Sequence, residues 1–242
     1  MVDLNIGLVA ARRFSLLETT LKSFDKNLFS AFNIRQVRVN LDPIFGSKDD
    51  EKQVMDLIKG HFPQAEIRQP QTPGFTQAVQ WIWSGMQDGP FLHLEDDWIC
   101  LERIRADEIM AQLSGPVKMV SLLSETHGDK GRTLASTRIQ KQKILGVTYR
   151  KVKVPAFNTS PGFVDGAFAR QVAALFDLTL DPEKQMRDNR NPNLARFLSG
   201  LECHFHKKLD GGPIVEDIGR LWQVNNGVQK LTSDGKSQWV QD

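Results

Sequence analysis

Apolar residues recur along this chain in two rhythms, as short near-continuous runs and as longer stretches with helical spacing. Asn5 to Ala11 (NIGLVAA) reads as a buried strand that runs straight into RRFSLLETTLKSF. There Leu16, Leu17, Leu21 and Phe24 predict a helix, with Ser15 placed to cap it. Gln36 to Pro43 (QVRVNLDP) alternates and closes on Asp-Pro, which predicts a strand followed by a turn. DDEKQVMDLIKGHF predicts an amphipathic helix whose acidic start suits the helix dipole. AEIRQ predicts a short third strand. GFTQAVQWIWSGM predicts a third helix with Phe75, Val79, Ile82 and Met86 along one face, and PFLHLEDD a fourth strand.

Strand–helix alternation of this kind predicts a mainly parallel sheet with helices on both faces. Beyond Asp97 the rhythm loosens. ERIRADEIMAQLSG predicts a helix, and VKMVSLLSE a strand opening into the polar loop THGDKGRT. KILGVTYRKVKVP reads as extended segments around a Gly-Val bend, and SPGFVDGAFARQVAALFD as turn, short strand and helix. From Pro182 to Gly212 the composition is polar and partly helical, as expected of a mobile flap. PIVEDIGRLWQVNNGVQK ends the pattern, with Glu216 and Asp217 expected to open a helix that buries Ile218, Leu221 and Trp222.

The chemistry concentrates where the fourth strand ends, at Glu95, Asp96 and Asp97. Three adjacent carboxylates beside a buried strand repel one another and are costly to desolvate, so a divalent metal or Lys and Arg partners must offset them. Ligands of parallel sheets bind beyond the carboxyl ends of the strands. The same rim should receive Ala11, Arg12 and Arg13 from the first strand and Asp42 from the second. An acidic strand end that merely caps a helix or pairs with Arg103 and Arg105 would look the same in sequence.

Composition adds limits. With 242 residues, 40% of them apolar, and a net charge of +2, the chain can bury a core and is neither disordered nor strongly basic. No apolar run approaches the ~20 residues of a membrane span. MVDLNIGLVAARR lacks the basic and apolar regions of a secretory signal, so a cytoplasmic location is expected. Cys100 and Cys203 match no metal-site spacing and are expected as reduced thiols. Lys141, Lys143, Arg150, Lys151 and Lys153 form a basic stretch suited either to phosphates of an acceptor or to a solvated hairpin face.

Taken in order, ARRFSLLETTLKSF, the aspartate of NLDP, the helix GFTQAVQWIWSGM before an apolar strand ending in Glu95-Asp96-Asp97, and VEDIGRLW resemble a GT-A glycosyltransferase of the family 2 type. The resemblance spans nearly the whole chain. It implies an α/β, Rossmann-like GT-A fold in which residues 1–242 form a single domain. Residues 1–100 would be the nucleotide-sugar half, and residues 101–242 a smaller acceptor-side and catalytic half. It further implies transfer of a sugar from a nucleotide-diphosphate donor to an acceptor hydroxyl, with Mn or Mg as cofactor and inversion at the reacting carbon.

In that frame the acid triplet is the DxD motif, with Asp97 on the metal. Ala11, Arg12, Arg13, Asp42, Glu95 and Asp96 would meet the donor, and Asp217 would be the base, with Glu216 as the alternative. The acceptor class would be a glycan or DNA carrying a modified base. Glu95 departs from the usual aspartate, and no histidine follows Asp217 as a further metal ligand. Two readings from other classes stay open. A metal-dependent nucleotidyltransferase would also use the carboxylates but needs a Gly-rich phosphate loop. A non-catalytic nucleic-acid-binding module would explain the basic stretch but not the acidic pairs.

Overall fold

The structure, a computed structural model, describes residues 1–125, 137–155, 157–187, 190–233 and 236–241. The expected polar loop THGDKGRT lies outside them. The first half alternates as expected: β1 (Val2–Ala10), α1 (Phe14–Asn27), β2 (Phe32–Leu41), α2 (Lys48–His61), β3 (Glu66–Arg68), α3 (Phe75–Ser84) and β4 (Pro90–Glu95). Next come β5 (Trp98–Cys100), α4 (Ala106–Gln112), β6 (Val117–Leu122), β7 (Thr137–Ile144), β8 (Val147–Pro155), β9 (Gly162–Asp165) and α5 (Gly166–Leu175). The chain continues through α6 (Pro182–Arg187), α7 (Pro192–Leu198), β10 (Glu202–His206), β11 (Val215–Asp217), α8 (Gly219–Asn225), β12 (Val228–Ser233) and β13 (Lys236–Gln241).

Seven strands form the central sheet in the order β10-β6-β9-β4-β1-β2-β3. All neighbours are parallel except β9, which runs antiparallel to both β4 and β6. Alternate residues of β1 supply the two cores. Leu4, Ile6, Leu8 and Ala10 pack with α1 and α2 through Leu17, Leu21, Phe24, Val54 and Ile58. Val9 packs on the opposite face with Val79, Ile82, Phe168 and Val172 of α3 and α5. Gly7 lies on that second face, where a Cβ would stand 2.4 Å from Ile82 Cγ2, so only glycine lets α3 approach so closely. Burial on both faces explains why β1 and β4 read as near-continuous apolar runs.

Four local expectations are corrected. Ser15 does not cap α1: the cap position is Arg13, with no side-chain cap bond, because a guanidinium carries only donors and cannot accept from the free N–H groups of the first turn. The expected flap contains β10, a parallel edge strand on β6 with Cys203 fully buried. Glu216 and Asp217 do not open a helix. They end β11, which pairs antiparallel with β5 so that Asp217 lies opposite Trp98. Leu221 is exposed rather than buried.

Candidate active site

Strand direction assembles the site. β1 and β4 are parallel, so Ala11 and Arg13 emerge beside Glu95, Asp96 and Asp97. Because β9 runs the other way, its start meets the same rim, bringing Thr159 and Ser160. The β5–β11 pairing brings Asp217 from the far end of the chain, and Ile218 N–H donates to the Asp97 carbonyl at 3.0 Å.

The acid triplet divides by role. Asp96, 2% exposed, accepts from Ala11 N–H at 2.8 Å and is ion-paired with Arg13, whose Nη2 also donates to Asp97 Oδ2 at 3.0 Å. Burial would lower the Arg13 pKa, but Asp96 and Asp97 outweigh it and raise it. The guanidinium also lies 5.2 Å from the Trp222 ring and 5.5 Å from Phe45, rings that meet edge to face. Phe45 holds φ at 65°, a left-handed backbone costly for a non-glycine residue and therefore held by its surroundings. Thus Arg13 offsets the buried acid, and Asp96 does not line the cavity.

Glu95, Asp97 and Asp217 do. They share a cavity of about 560 Å³ with Phe75, Thr159, Asp181, Arg187 and others; its wall carries five carboxylates against three arginines. Asp217 Oδ1 accepts from Gly219 N–H at 3.0 Å, and its Oδ2 from Arg220 Nε at 3.0 Å. Gly219 is required there, since a Cβ would stand 2.1 Å from Asp97 Oδ2. Glu216 does not line this cavity, as alternation along β11 directs it to the opposite face from Asp217. Thr159 and Asp181 were not anticipated; for Thr159 the run FNTSPG, polar yet buried at Asn158 and Thr159, was the available signal.

Burial, opposed by Arg13 but reinforced by Asp96 and Asp217, pushes the Asp97 carboxyl up to about 6. The folded chain therefore keeps a proton there that the unfolded chain has already released. That stability is present below the ordinary carboxylate range and is lost as pH rises through about 6. Asp97→Asn removes this slope, so its melting temperature relative to the parent should climb between about pH 4 and about pH 7. A difference that stays constant across that window would show that Asp97 titrates normally.

Asp42 stands in a second cavity of about 330 Å³, lined also by Asn40, Arg68, Gly74 and Gln77. Its Oδ1 accepts from Asn40 Nδ2 at 2.8 Å and its Oδ2 from Gly74 N–H at 3.3 Å. Burial raises its pKa against these bonds. Asn40 Oδ1 is buried with no hydrogen-bond partner. Arg12 turns away from both cavities, donating Nε to Glu51 at 2.8 Å and Nη1 to the Gly46 carbonyl at 3.2 Å. His204 pairs with Glu202, and His206 with Gln112 beside a separate cavity at the β10 edge.

No three His, Cys, Asp or Glu side chains converge as a metal cage among the described residues. The donor set nonetheless fits a hard cation held in part by a ligand. Magnesium-type ions commonly take one or two carboxylates and complete their shell with phosphates and water. Asp97 presents its carboxylate at the cavity wall among an excess of negative neighbours.

No family model and no curated protein matches the chain. Solved structures do. A mannosyltransferase, PcManGT from Pyrobaculum calidifontis in complex with GDP-Man and Mn2+, aligns with TM-score 0.59 at 10% identity over 89% of this chain and 56% of its own. GalNAc-T7 with UDP, GalNAc and Mn2+ aligns with TM-score 0.55 at 12% identity, over 89% and 43%. S. aureus TarS 1–349 aligns with TM-score 0.51 at 11% identity, over 90% and 60%. The chain spans about half the length of these proteins and shares their GT-A-type fold.

Proposed function

We propose that this chain is a glycosyltransferase that moves a sugar from a nucleoside-diphosphate donor to an acceptor hydroxyl with inversion. The observation that carries this reading is the pair of neighbouring cavities at the ends of parallel strands. One offers buried acceptors, Asp42 and Asn40 Oδ1, to the N–H groups of a base. The other gathers Asp97, Asp217 and Arg13 around room for a sugar and diphosphate.

Asp97 would hold the divalent cation together with donor phosphate oxygens; the ion would neutralise charge on the departing diphosphate. Arg13, clamped between Asp96 and two rings, adds fixed positive charge beside it. Asp217 accepts the proton of the acceptor hydroxyl as its oxygen bonds to the anomeric carbon. The carbon–oxygen bond to the diphosphate breaks, and the diphosphate departs with the electron pair. A glycan or a modified nucleic-acid base would supply the hydroxyl.

The test is calorimetric titration of the parent and Asp97→Asn with UDP- and GDP-sugars, with and without Mn2+. The parent should bind at least one donor only with the metal. Asp97→Asn should weaken that binding by about tenfold or more, the worth of one lost charged contact. Equal binding by both proteins would remove Asp97 from the metal, and no donor binding at all would remove the transferase reading.

A further inference from the structure

β7 and β8 form a two-stranded ribbon separate from the central sheet, closed by the two-residue turn Leu145-Gly146. From Thr137 to Pro155 it carries six basic residues (Arg138, Lys141, Lys143, Arg150, Lys151, Lys153) and no acid, on a chain whose net charge is only +2. The remainder of the chain is therefore net negative, and the positive charge is segregated onto this arm.

In the register of the ribbon Lys141 lies directly opposite Lys151, before a register shift between Gln142 and Lys143. Like charges opposite one another destabilise a strand pair, so this pairing is suited to an anionic partner. The turn is apolar where turns are usually polar. Leu145 is 99% exposed, Val147 70%, and Tyr149, the chain's only tyrosine, 61%. Leu145 also sits at φ 47° with Gly146 at φ 81°, a turn in which Asn, Asp or Gly takes the first position at little cost. A leucine there accepts backbone strain in order to present an apolar side chain to solvent.

We propose that this ribbon is a docking arm for an anionic lipid bilayer. The tip formed by Leu145, Val147 and Tyr149 enters the boundary between headgroups and acyl chains, and the basic residues of the ribbon meet lipid phosphates. Reversible surface binding of this kind draws on both buried apolar area and attraction to anionic lipid. Two-stranded ribbons also enter nucleic-acid grooves. Groove binders read base edges or unstack base steps, whereas three exposed apolar side chains at the end of a basic ribbon combine the two attractions of interfacial binding, which favours the bilayer. No helix among the described residues is long and apolar enough to cross a membrane.

The experiment is co-sedimentation of the full chain with vesicles of phosphatidylcholine alone and of phosphatidylcholine mixed with phosphatidylglycerol. A duplex DNA oligonucleotide is titrated in parallel. Binding should need phosphatidylglycerol and weaken as salt rises. Leu145→Asn, which suits the left-handed turn and so keeps or raises the melting temperature, should weaken vesicle binding about tenfold, the transfer value of one leucine. Replacing Lys141, Lys143, Lys151 and Lys153 by Gln should abolish it. Two results overturn the proposal: no vesicle binding by the parent, or tight DNA binding that Leu145→Asn leaves unchanged while vesicles stay unbound. None of these readouts depends on donor binding or transfer, so the outcome is independent of the proposed activity.

Discussion

Arg13→Met should cost about 3–5 kcal/mol of folding stability, the usual penalty for stripping the partner from a buried ion pair. The reason is the asymmetry of Asp96. With its guanidinium partner gone, a carboxylate only 2% exposed keeps the Ala11 N–H and little else. Asp97 would lose its Nη2 donor at the same time, and the two rings would lose the cation between them. Adding Asp96→Asn to Arg13→Met should recover a large part of the loss, because a neutral amide can still accept from Ala11 without an uncompensated charge. Urea unfolding of the parent, the single and the double variant checks this. A single-variant cost below about 1 kcal/mol, the range of exposed ion pairs, would mean that water already solvates Asp96.

That expectation bears on what three adjacent carboxylates were doing beside a buried strand. Metal and arginine were posed as alternatives, and Arg13 pairs with both aspartates while only Asp97 faces the cavity. β4 ends at Glu95; Asp96 turns inward to Arg13, and Asp97 is left at the cavity wall. Nothing local in LEDDW distinguishes the two aspartates, because the distinction depends on where β1 delivers Arg13. The elements of the first half were legible because each has its own period: β1 and β4 as apolar runs, α1 and α3 as faces repeating at helical spacing. β11 was not, since three residues make no period and Val215–Asp217 is a strand only through β5, more than a hundred positions away. β10 was hidden differently. Its alternation of Cys203 with histidines looks polar, yet Cys203 is fully buried and His206 is 6% exposed. The hydrogen bonds around Asp42 were equally illegible, because Gly74 comes from the loop before α3.

Asp217→Asn should leave donor binding intact and lower single-turnover transfer on the order of 10²–10⁴-fold, the worth of a positioned base. The substitution separates chemistry from scaffolding. Asp217 has a structural task, accepting from Gly219 N–H with Oδ1, a bond that an amide oxygen accepts as well. The Asn side chain keeps one carbonyl oxygen for that bond and loses only the capacity to take up a proton. The melting temperature should therefore stay close to the parent's, apart from the exposed pair with Arg220, which contributes little. Transfer should collapse if Asp217 is the base. Glu216→Gln provides the internal control, since that residue shares the strand but not the cavity and should transfer at the parental rate. The measurement is transfer at saturating donor to a panel of glycan and nucleic-acid acceptors. Parental turnover in Asp217→Asn would reduce Asp217 to an acceptor for the Gly219 N–H. The proton would then have to go to another carboxylate of the same wall, and Asp97→Asn, already in hand from the donor titrations, would be the next variant to assay.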